Sequence, residues 1–383
     1  MSPLRVALFT EIYHPVMNGV VASVEALAAG LERRGHQVFC VAPKMAGADG
    51  GERRVLRIPS LPLPVPAGTP YRLTLPVMSR RTVKALIERL DVIHVHSPFV
   101  TGWMGVRYAR RYGIPLIYTY HTQLEAYAHY VPFEPNATRF AASRLTRTFA
   151  NLADAVIAPT PTMADRLRQL GVTARIETVP TGIDVELFGS GRPHPDLRER
   201  LGAGAGDTLL LYVGRLAREK NIELLLTALA AADEPRLRLA IAGEGPLLKA
   251  LRSLARELGV DGQTRFLGAV PRGDLPNIYA TADAFAMPST TETQGLVLAE
   301  ALASGLRVIA ADAPQNRDVI GSAGELIAPE PAAFAAAFRA IDGPASPAAS
   351  AAARQAAECF SIERHVERVL ALYQSVGRPA RTA

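Results

Sequence analysis

Short apolar runs alternate along this chain with stretches in which apolar residues return every three to four positions. The runs predict strands over 5–10, 37–42, 55–59, 91–96, 115–119, 155–158 and 175–179. Strands alternating with helices pack as a parallel sheet covered on both faces, because the helical crossovers bring successive strands back in the same direction. The alternation breaks over 186–207, a run rich in glycine, proline and charge that reads as a linker. It resumes with strands over 208–213, 239–242, 265–270, 307–311 and 325–328. A chain of 383 residues suits two domains. The expected division is 1–185, the linker 186–207, a second domain 208–360 and a closing segment 361–383 that is helical from about 362.

Two helical patterns carry positive charge opposite an apolar side. Over 79–90, Val83, Leu86, Ile87 and Leu90 share one side, and Arg80, Arg81 and Lys84 take the other. Over 136–152, Ala141, Leu145, Phe149 and Leu152 form the stripe, with Arg139, Arg144 and Arg147 opposite. Either pattern is a packed helix with a solvated outer face, or a surface for anionic lipid headgroups, where each cation contributes about 1 kcal/mol. The proline-rich stretch 59–76 is too apolar for a plain linker. It fits a cover over an acceptor entrance or a segment dipping into a membrane interface.

Charge sharpens this picture. Residues 1–185 hold 21 Lys and Arg against 13 Asp and Glu, whereas 186–383 hold 21 against 23. The positive excess therefore lies in the first half, where it can serve an anionic membrane surface, a nucleic acid or a phosphorylated ligand, although a chain rich in Ala and Arg with only four Lys reads more simply as a composition bias. No nucleic-acid-binding motif accompanies it, so no nucleic-acid partner is expected. Cys40 and Cys359 are the only cysteines, too few for a disulfide framework or a cysteine zinc site. No apolar run reaches the length of a bilayer span, and the first residues lack the pattern of a signal peptide. The expected location is cytoplasmic, peripheral at the inner face of the cell membrane.

In sheets of this kind ligands gather at the C-terminal ends of strands. In the first half those ends carry Gly19, which opens a helix and lets a ligand approach the backbone. They also carry His94 and His96, and then His121. His94 and His96 alternate on one strand face. Two such histidines suit a metal, but no third ligand stands near, so packed histidines are the simpler reading. In the second half, Gly214, Arg215 and Lys220 follow the strand over 208–213. Two cations there would neutralise a diphosphate. Gly243-Glu-Gly245-Pro246 is a tight turn after the next strand. Met287–Gly305 reads MPSTTETQGLVLAEALASG. Glu292 and Glu300 stand eight apart, and at Gly295 the loop becomes a helix. The bare N–H groups around Thr293, Gln294, Gly295 and Leu296 suit phosphate, and the carboxylates suit hydroxyls. A ligand with both is a nucleotide-sugar.

These motifs, in this order, resemble the retaining glycosyltransferases of family 4. The resemblance rests on the E-x7-E pair Glu292 and Glu300, on Gly214-Arg215 with Lys220, on the Gly243–Pro246 turn, and on 179–188 with its Gly-Ile-Asp. It implies the α/β GT-B fold, two facing Rossmann-like domains with an interdomain cleft, whose last helix packs back on the first domain. Glu292-Thr-Gln-Gly295 resembles the branch that glycosylates diacylglycerol and related lipids. Tyr118-Thr-Tyr-His-Thr122 points the same way, and implies acceptor-side roles for Glu125, Tyr127 and His129.

The resemblance further implies that His121 and Glu292 meet the transferred sugar and that Arg215 and Lys220 meet the leaving diphosphate. Glu300 would then hold the ribose. Gly19, Gly214, Gly243, Gly245 and the main chain at Leu267 would line the nucleotide. No Asp-x-Asp is present, so no metal and no separate cofactor are expected. A UDP-sugar is favoured over a GDP-sugar. The expected function is transfer of a hexose to a lipid hydroxyl at an anionic membrane surface. A soluble family member with a small or oligosaccharide acceptor, and a non-catalytic two-domain sugar-binding protein, stay open at this point.

Overall fold

The computed structural model describes residues 3–45, 47, 54–62, 72–75, 80–87, 89–130 and 134–377. The chain divides into two compact units, Met1–Gly182 with Ile362–Ala383, and Ile183–Ser361.

The first unit contains β1 (Arg5–Phe9), β2 (Gln37–Pro43), β3 (Val55–Ile58), β4 (Ser60–Pro62), β5 (Arg72–Thr74), β6 (Val92–Val95), β7 (Leu116–Thr119), β8 (Ala155–Ala158) and β9 (Arg175–Thr178). Seven of these form one sheet in the order β3-β2-β1-β6-β7-β8-β9, and β4 and β5 form a separate antiparallel pair. The large sheet is parallel throughout. Both of its faces are covered, so its central strands are apolar without alternation. Ala7, Phe9, Ile93 and Val95 enter one core. Val6, Leu8, Val92 and Ile117 enter the other, with Val366, Val369, Leu370 and Tyr373 of the last helix, Ile362–Ser375. That helix therefore belongs to the first unit although it ends the chain.

The second unit contains β10 (Thr208–Val213), β11 (Leu237–Ala242), β12 (Thr264–Gly268), β13 (Ala284–Met287), β14 (Arg307–Ala311) and β15 (Glu325–Ile327). Their order is β12-β11-β10-β13-β14-β15, again all parallel. Each sheet reverses its strand order once, between β1 and β6 and between β10 and β13. Loops leaving such a pair diverge to opposite faces and open a crevice at the strand ends.

The run 186–207 does not stand apart as a linker. It belongs to the second unit and contains two short helices, Val185–Gly189 and Pro195–Arg200. Phe188, Leu201 and Ala203 are buried in its core. Arg198 donates to Asp283 Oδ2 at 2.7 Å and to the carbonyls of Gly204 and Thr281. The same Asp283 oxygen accepts from the main-chain N–H of Leu209, 2.7 Å away, as β10 begins. A few apolar anchors and one bonded arginine hold a segment whose average composition is that of a tether. Arg198→Ala is expected to lower stability by about 2–3 kcal/mol, because it strips the countercharge from a buried carboxylate. Exposed Arg192→Ala should change it by less than about 0.5 kcal/mol. Urea unfolding followed by circular dichroism distinguishes the two.

Candidate active site

In the second unit three loops are drawn together where β10, β11 and β12 end. The N–H of Gly214 bonds the carbonyl of Ala242, that of Gly243 the carbonyl of Gly268, and that of Leu216 the carbonyl of Glu244. A Cβ on Gly243 would lie 1.9 Å from the Gly214 oxygen, and one on Gly245 would lie 2.2 Å from the Leu216 oxygen. The close approach that requires these glycines is thus to neighbouring main chain. Leu267 is half-buried in β12 beside them.

The loop after β13 is fixed by its neighbours. Ser289 and Thr291 donate their hydroxyls to the Glu219 carbonyl at 3.2 and 2.9 Å. Asn316 donates to the Ser289 carbonyl at 2.9 Å, and Gln315 donates to the Thr290 carbonyl. Gly295, at φ 74°, then turns the chain into the helix Leu296–Ala303 in a conformation that side chains disfavour. Thr293 and Leu296 are half-buried here and Gln294 is buried.

Glu292 lies in this fixed loop, and Lys220 donates to both of its oxygens, at 2.6 and 2.8 Å. Their side chains are only 11% and 21% exposed. Sequence reasoning gave these residues separate ligands, whereas the structure makes them one ion pair, 72 positions apart in the chain. An ammonium has three donors and Glu292 takes two, so Lys220 retains one. Arg215 is half-buried in the same loop as Lys220, and its carbonyl accepts from the Tyr212 hydroxyl at 3.3 Å.

Glu300 is buried on the helix Leu296–Ala303. Its Oε1 is 3.0 Å from Arg272 Nη1, and Tyr279 donates its hydroxyl to Oε2 at 3.2 Å. Burial pushes the Glu300 carboxyl up, and Arg272 and the Tyr279 hydrogen bond pull it back. The Arg272 guanidinium also lies 5.3 Å from the centre of the Phe188 ring. Neither Arg272 nor Tyr279 was a candidate from sequence. Their one signal was a cation and a tyrosine in the segment before β13, which no spacing rule links to Glu300.

In the first unit, Asn18 caps the helix Gly19–Arg33 by accepting from the Val21 N–H, and Gly19 is exposed as its first residue. Glu11, just after β1, accepts from the Thr74 hydroxyl at 2.7 Å. Its other oxygen accepts from the N–H and hydroxyl of Thr101 at 2.8 and 2.7 Å. His121 is half-buried two residues beyond β7. Burial, followed by the charge of His365, lowers its pKa to about 3, so it is neutral across the ordinary pH range. His94 and His96 are buried, and burial lowers them too. His94 places its ring nitrogens 2.7 Å from the Tyr373 hydroxyl and 2.6 Å from that of Thr119. Among the described residues no three His, Cys, Asp or Glu are grouped so as to hold a metal ion.

The family model described as Glycosyltransferase Family 4 matches residues 17–187, and that described as Glycosyl transferases group 1 matches 194–343. The alpha-monoglucosyldiacylglycerol synthase of Streptococcus pneumoniae is 34% identical to this chain, over 83% of it and 73% of the relative. The chain belongs to glycosyltransferase family 4. A GDP-mannose-dependent alpha-mannosyltransferase of Mycobacterium tuberculosis is 35% identical, over 84% of this chain and 82% of its own. Among solved structures, Anabaena HepE in complex with UDP-glucose superposes with a TM-score of 0.76 at 20% identity, covering 97% of this chain and 100% of that one. The fold is that of GT-B glycosyltransferases, with a Rossmann-like parallel sheet in each unit.

In this family 4 glycosyltransferase, the expected acceptor-side residues lie on the 3-10 helix Leu124–Tyr130. Glu125 is buried and ion-paired. Its Oε1 accepts from Arg166 Nε and Nη2 at 3.0 and 2.9 Å, while Oε2 has no hydrogen-bond partner. Tyr127 is half-buried, and the side chain of His129 lies outside the described residues. Lys84, Arg139, Arg144 and Arg147 are exposed, and the side chains of Arg80 and Arg81 lie outside the described residues. The stripe of the helix Pro135–Ala150 departs from expectation, because Ala141 is exposed and Thr146 is buried beside Phe149.

Among the described residues, six large apolar side chains are exposed: Met17, Leu61, Leu73, Phe99, Trp103 and Phe140. All belong to the first unit of this glycosyltransferase. Leu61 and Leu73 are directly opposed on β4 and β5. Glu11 bonds both Thr74 of β5 and Thr101 of the helix Val100–Tyr112, which carries Trp103. Trp103 meets Phe149 edge-on, with ring centres 5.4 Å apart, and Phe149 shares its helix with Arg139 and Phe140. No described helix is long and apolar enough to cross a membrane.

Arg272→Ala would leave Glu300 buried without its countercharge and raise its pKa further. Between the ordinary carboxylate value and the raised one, the folded state holds a proton that the unfolded state has lost. Stability therefore falls as pH rises through that window and stays low above it. The substitution is expected to cost about 2–4 kcal/mol at neutral pH, and less as pH falls toward the ordinary carboxylate range. Urea unfolding across pH measures this, and a pH-independent difference would contradict the ion pair.

Proposed function

We propose that this glycosyltransferase moves a hexose from a nucleotide-sugar to a lipid hydroxyl at an anionic membrane surface on the cytoplasmic side, with retention at the anomeric carbon. The observation that carries the lipid acceptor is the set of large apolar side chains that the first unit exposes. Exposed Leu61, Leu73, Phe99, Trp103 and Phe140, with exposed Arg139 and Arg144 on the helix that carries Phe140, suit an interface of acyl chains and anionic headgroups. The relative in Streptococcus pneumoniae, named as a glucosyldiacylglycerol synthase, supports the same acceptor class.

In this reading the second unit takes the donor. Arg215 and the remaining donor of Lys220 face the diphosphate, with the N–H groups over 293–296. Glu292, held by Lys220, accepts from hexose hydroxyls, and Glu300, held by Arg272, accepts from the ribose. His121 bonds the transferred hexose. The bond from the anomeric carbon to the diphosphate oxygen breaks, and its electron pair leaves with the nucleotide. The lipid oxygen bonds the same carbon, and its proton passes to the departing diphosphate. Fixed cations that meet charge as it develops on the leaving group lower the barrier.

A UDP-sugar is the first choice of donor. The M. tuberculosis relative, named for GDP-mannose, makes that sugar the second.

Vesicles containing diacylglycerol and an anionic lipid, offered UDP-glucose, UDP-galactose, UDP-N-acetylglucosamine or GDP-mannose in turn, test the proposal. The lipid product is read by mass. A glycolipid from one donor is expected, reduced on the order of 100-fold by Lys220→Ala. Donor hydrolysis without glycolipid would remove the lipid acceptor and favour a soluble one. Leu61→Glu with Leu73→Glu is expected to weaken vesicle flotation and glycolipid formation while leaving donor hydrolysis unchanged. Equal flotation would remove these side chains from the membrane contact.

A further inference from the structure

The two loops that carry Lys220 and Glu292 are tied together at the main chain as well as through the ion pair. Ser289 and Thr291 both donate their hydroxyls to the carbonyl of Glu219, at 3.2 and 2.9 Å. A carbonyl oxygen has two lone pairs, and these two hydroxyls occupy both. Each end of the tie is a chain neighbour of the ion pair, since Glu219 precedes Lys220 and Thr291 precedes Glu292. Ser289 is fully buried and Thr291 is half-buried. Behind them, the Asn316 amide donates to the carbonyls of Ser289 and Ala311, both at 2.9 Å, and so holds the Glu292 loop to the end of β14.

The Glu219 oxygen and the Lys220 N–H belong to one planar peptide unit. The oxygen is held by Ser289 and Thr291, and the N–H donates to the carbonyl of Ala217 at 2.9 Å. With both edges bonded, the plane is held, and so is the direction in which the Lys220 side chain leaves the main chain. The next residue, Asn221, has φ 52°, in the left-handed region. Asn enters that region more readily than most residues, and the bonded loop keeps it there. A lysine side chain is long and flexible, and its ammonium is a point charge without a preferred plane. Its aim therefore depends on where its Cα is held and on the partner at its tip. Glu292 supplies the second constraint, and the clasp on Glu219 supplies the first.

We propose that Ser289 and Thr291 are positioning residues for Lys220. By holding the Glu219 carbonyl they fix the peptide from which Lys220 departs. Two of its ammonium hydrogens then meet Glu292, and the third is presented to the leaving diphosphate. Ser289 and Thr291 act through Lys220 and need no contact with the substrate. The role in turnover rests on the assignment of Lys220 to the diphosphate, whereas the clasp does not.

Lys44, Lys84, Lys220 and Lys249 are the only lysines, so side-chain nitrogen spectra of the full chain labelled at lysine are simple to read. Lys220→Arg assigns the Lys220 signal, and Glu292→Gln supplies its unpaired reference. In the wild type the Lys220 ammonium is expected to exchange its hydrogens slowly. Thr291→Val, which keeps the shape and deletes the hydroxyl, and Ser289→Ala should each speed that exchange. The double variant should approach Glu292→Gln, and Thr291→Ser should restore the wild-type signal. Donor turnover should follow. In Thr291→Val kcat is expected to fall on the order of 10–100-fold, the scale for a misplacement of about 1 Å. Donor KM should be little changed, and Thr291→Ser should recover most of the loss. Thr227→Val removes a hydroxyl bond of the same kind, to the carbonyl of Glu223 at 2.9 Å, at the helix Ile222–Ala232. It should leave kcat and the Lys220 signal unchanged. A Lys220 ammonium that exchanges fast in the wild type, or one unchanged in folded Thr291→Val and Ser289→Ala, overturns the proposal. So does an equal fall in kcat in Thr227→Val. Should the double variant fail to fold, the single variants decide. If no nucleotide-sugar is turned over, the functional reading fails while the clasp is judged by the Lys220 signal alone.

Discussion

A carboxylate taken out of water must be met by a cation or by hydrogen-bond donors, or else take up a proton. The second unit meets this demand repeatedly. Lys220 meets Glu292, Arg272 meets Glu300 and Arg198 meets Asp283. Each pair joins residues far apart in the chain. Lys220 follows β10 and Glu292 follows β13, the two strands at which the sheet reverses order. The loop that carries Glu292 is also bonded through Ser289, Thr291, Gln315 and Asn316. The carboxylates are thus held in place by partners drawn from distant parts of the chain.

The first unit handles its titratable side chains in the opposite way. Four of its histidines, His94, His96, His121 and His365, lie close together, and burial lowers the pKa of each. Neutral imidazoles act through the direction of their single N–H, so the bonds among them matter more than their charge. Tyr373, from the last helix, is one of those bonding partners. A helix that ends the chain therefore reaches the end of a central strand in the first unit. The same unit carries the exposed apolar side chains and the cations of the helix Pro135–Ala150. The first unit thus offers neutral imidazoles and exposed apolar side chains, and the second offers paired charges.

Hydrophobic periodicity made the first sheet and five of the six strands of the second legible; β13 (Ala284–Met287), a four-residue run, was not among the strands expected. Every strand expected in the first half is present, because a doubly covered parallel strand must be a short continuous apolar run. The motif around Glu292 and Glu300 was legible for a local reason: a loop, a glycine at positive φ and a helix start are neighbours in sequence. The segment 186–207 was misread because three buried apolar residues, Phe188, Leu201 and Ala203, were outweighed by glycine, proline and charge around them. The apolar stripe of the helix Pro135–Ala150 was misread at Ala141 and Thr146, since the face a helix buries is set by what packs against it.

The sequence by itself determined that this chain is an α/β protein with two parallel sheets and the ordered motifs of family 4. Those features arise from residues close together in the chain, where spacing and geometry are linked directly. Tertiary structure alone decided that Lys220 is the partner of Glu292, that Arg272 and Tyr279 hold Glu300, and that His96 faces His121. These contacts follow from which strands lie side by side and where their loops end. Charge and proton position depend on those neighbours in space, because electrostatic interaction falls with distance through the protein and not with distance along the chain.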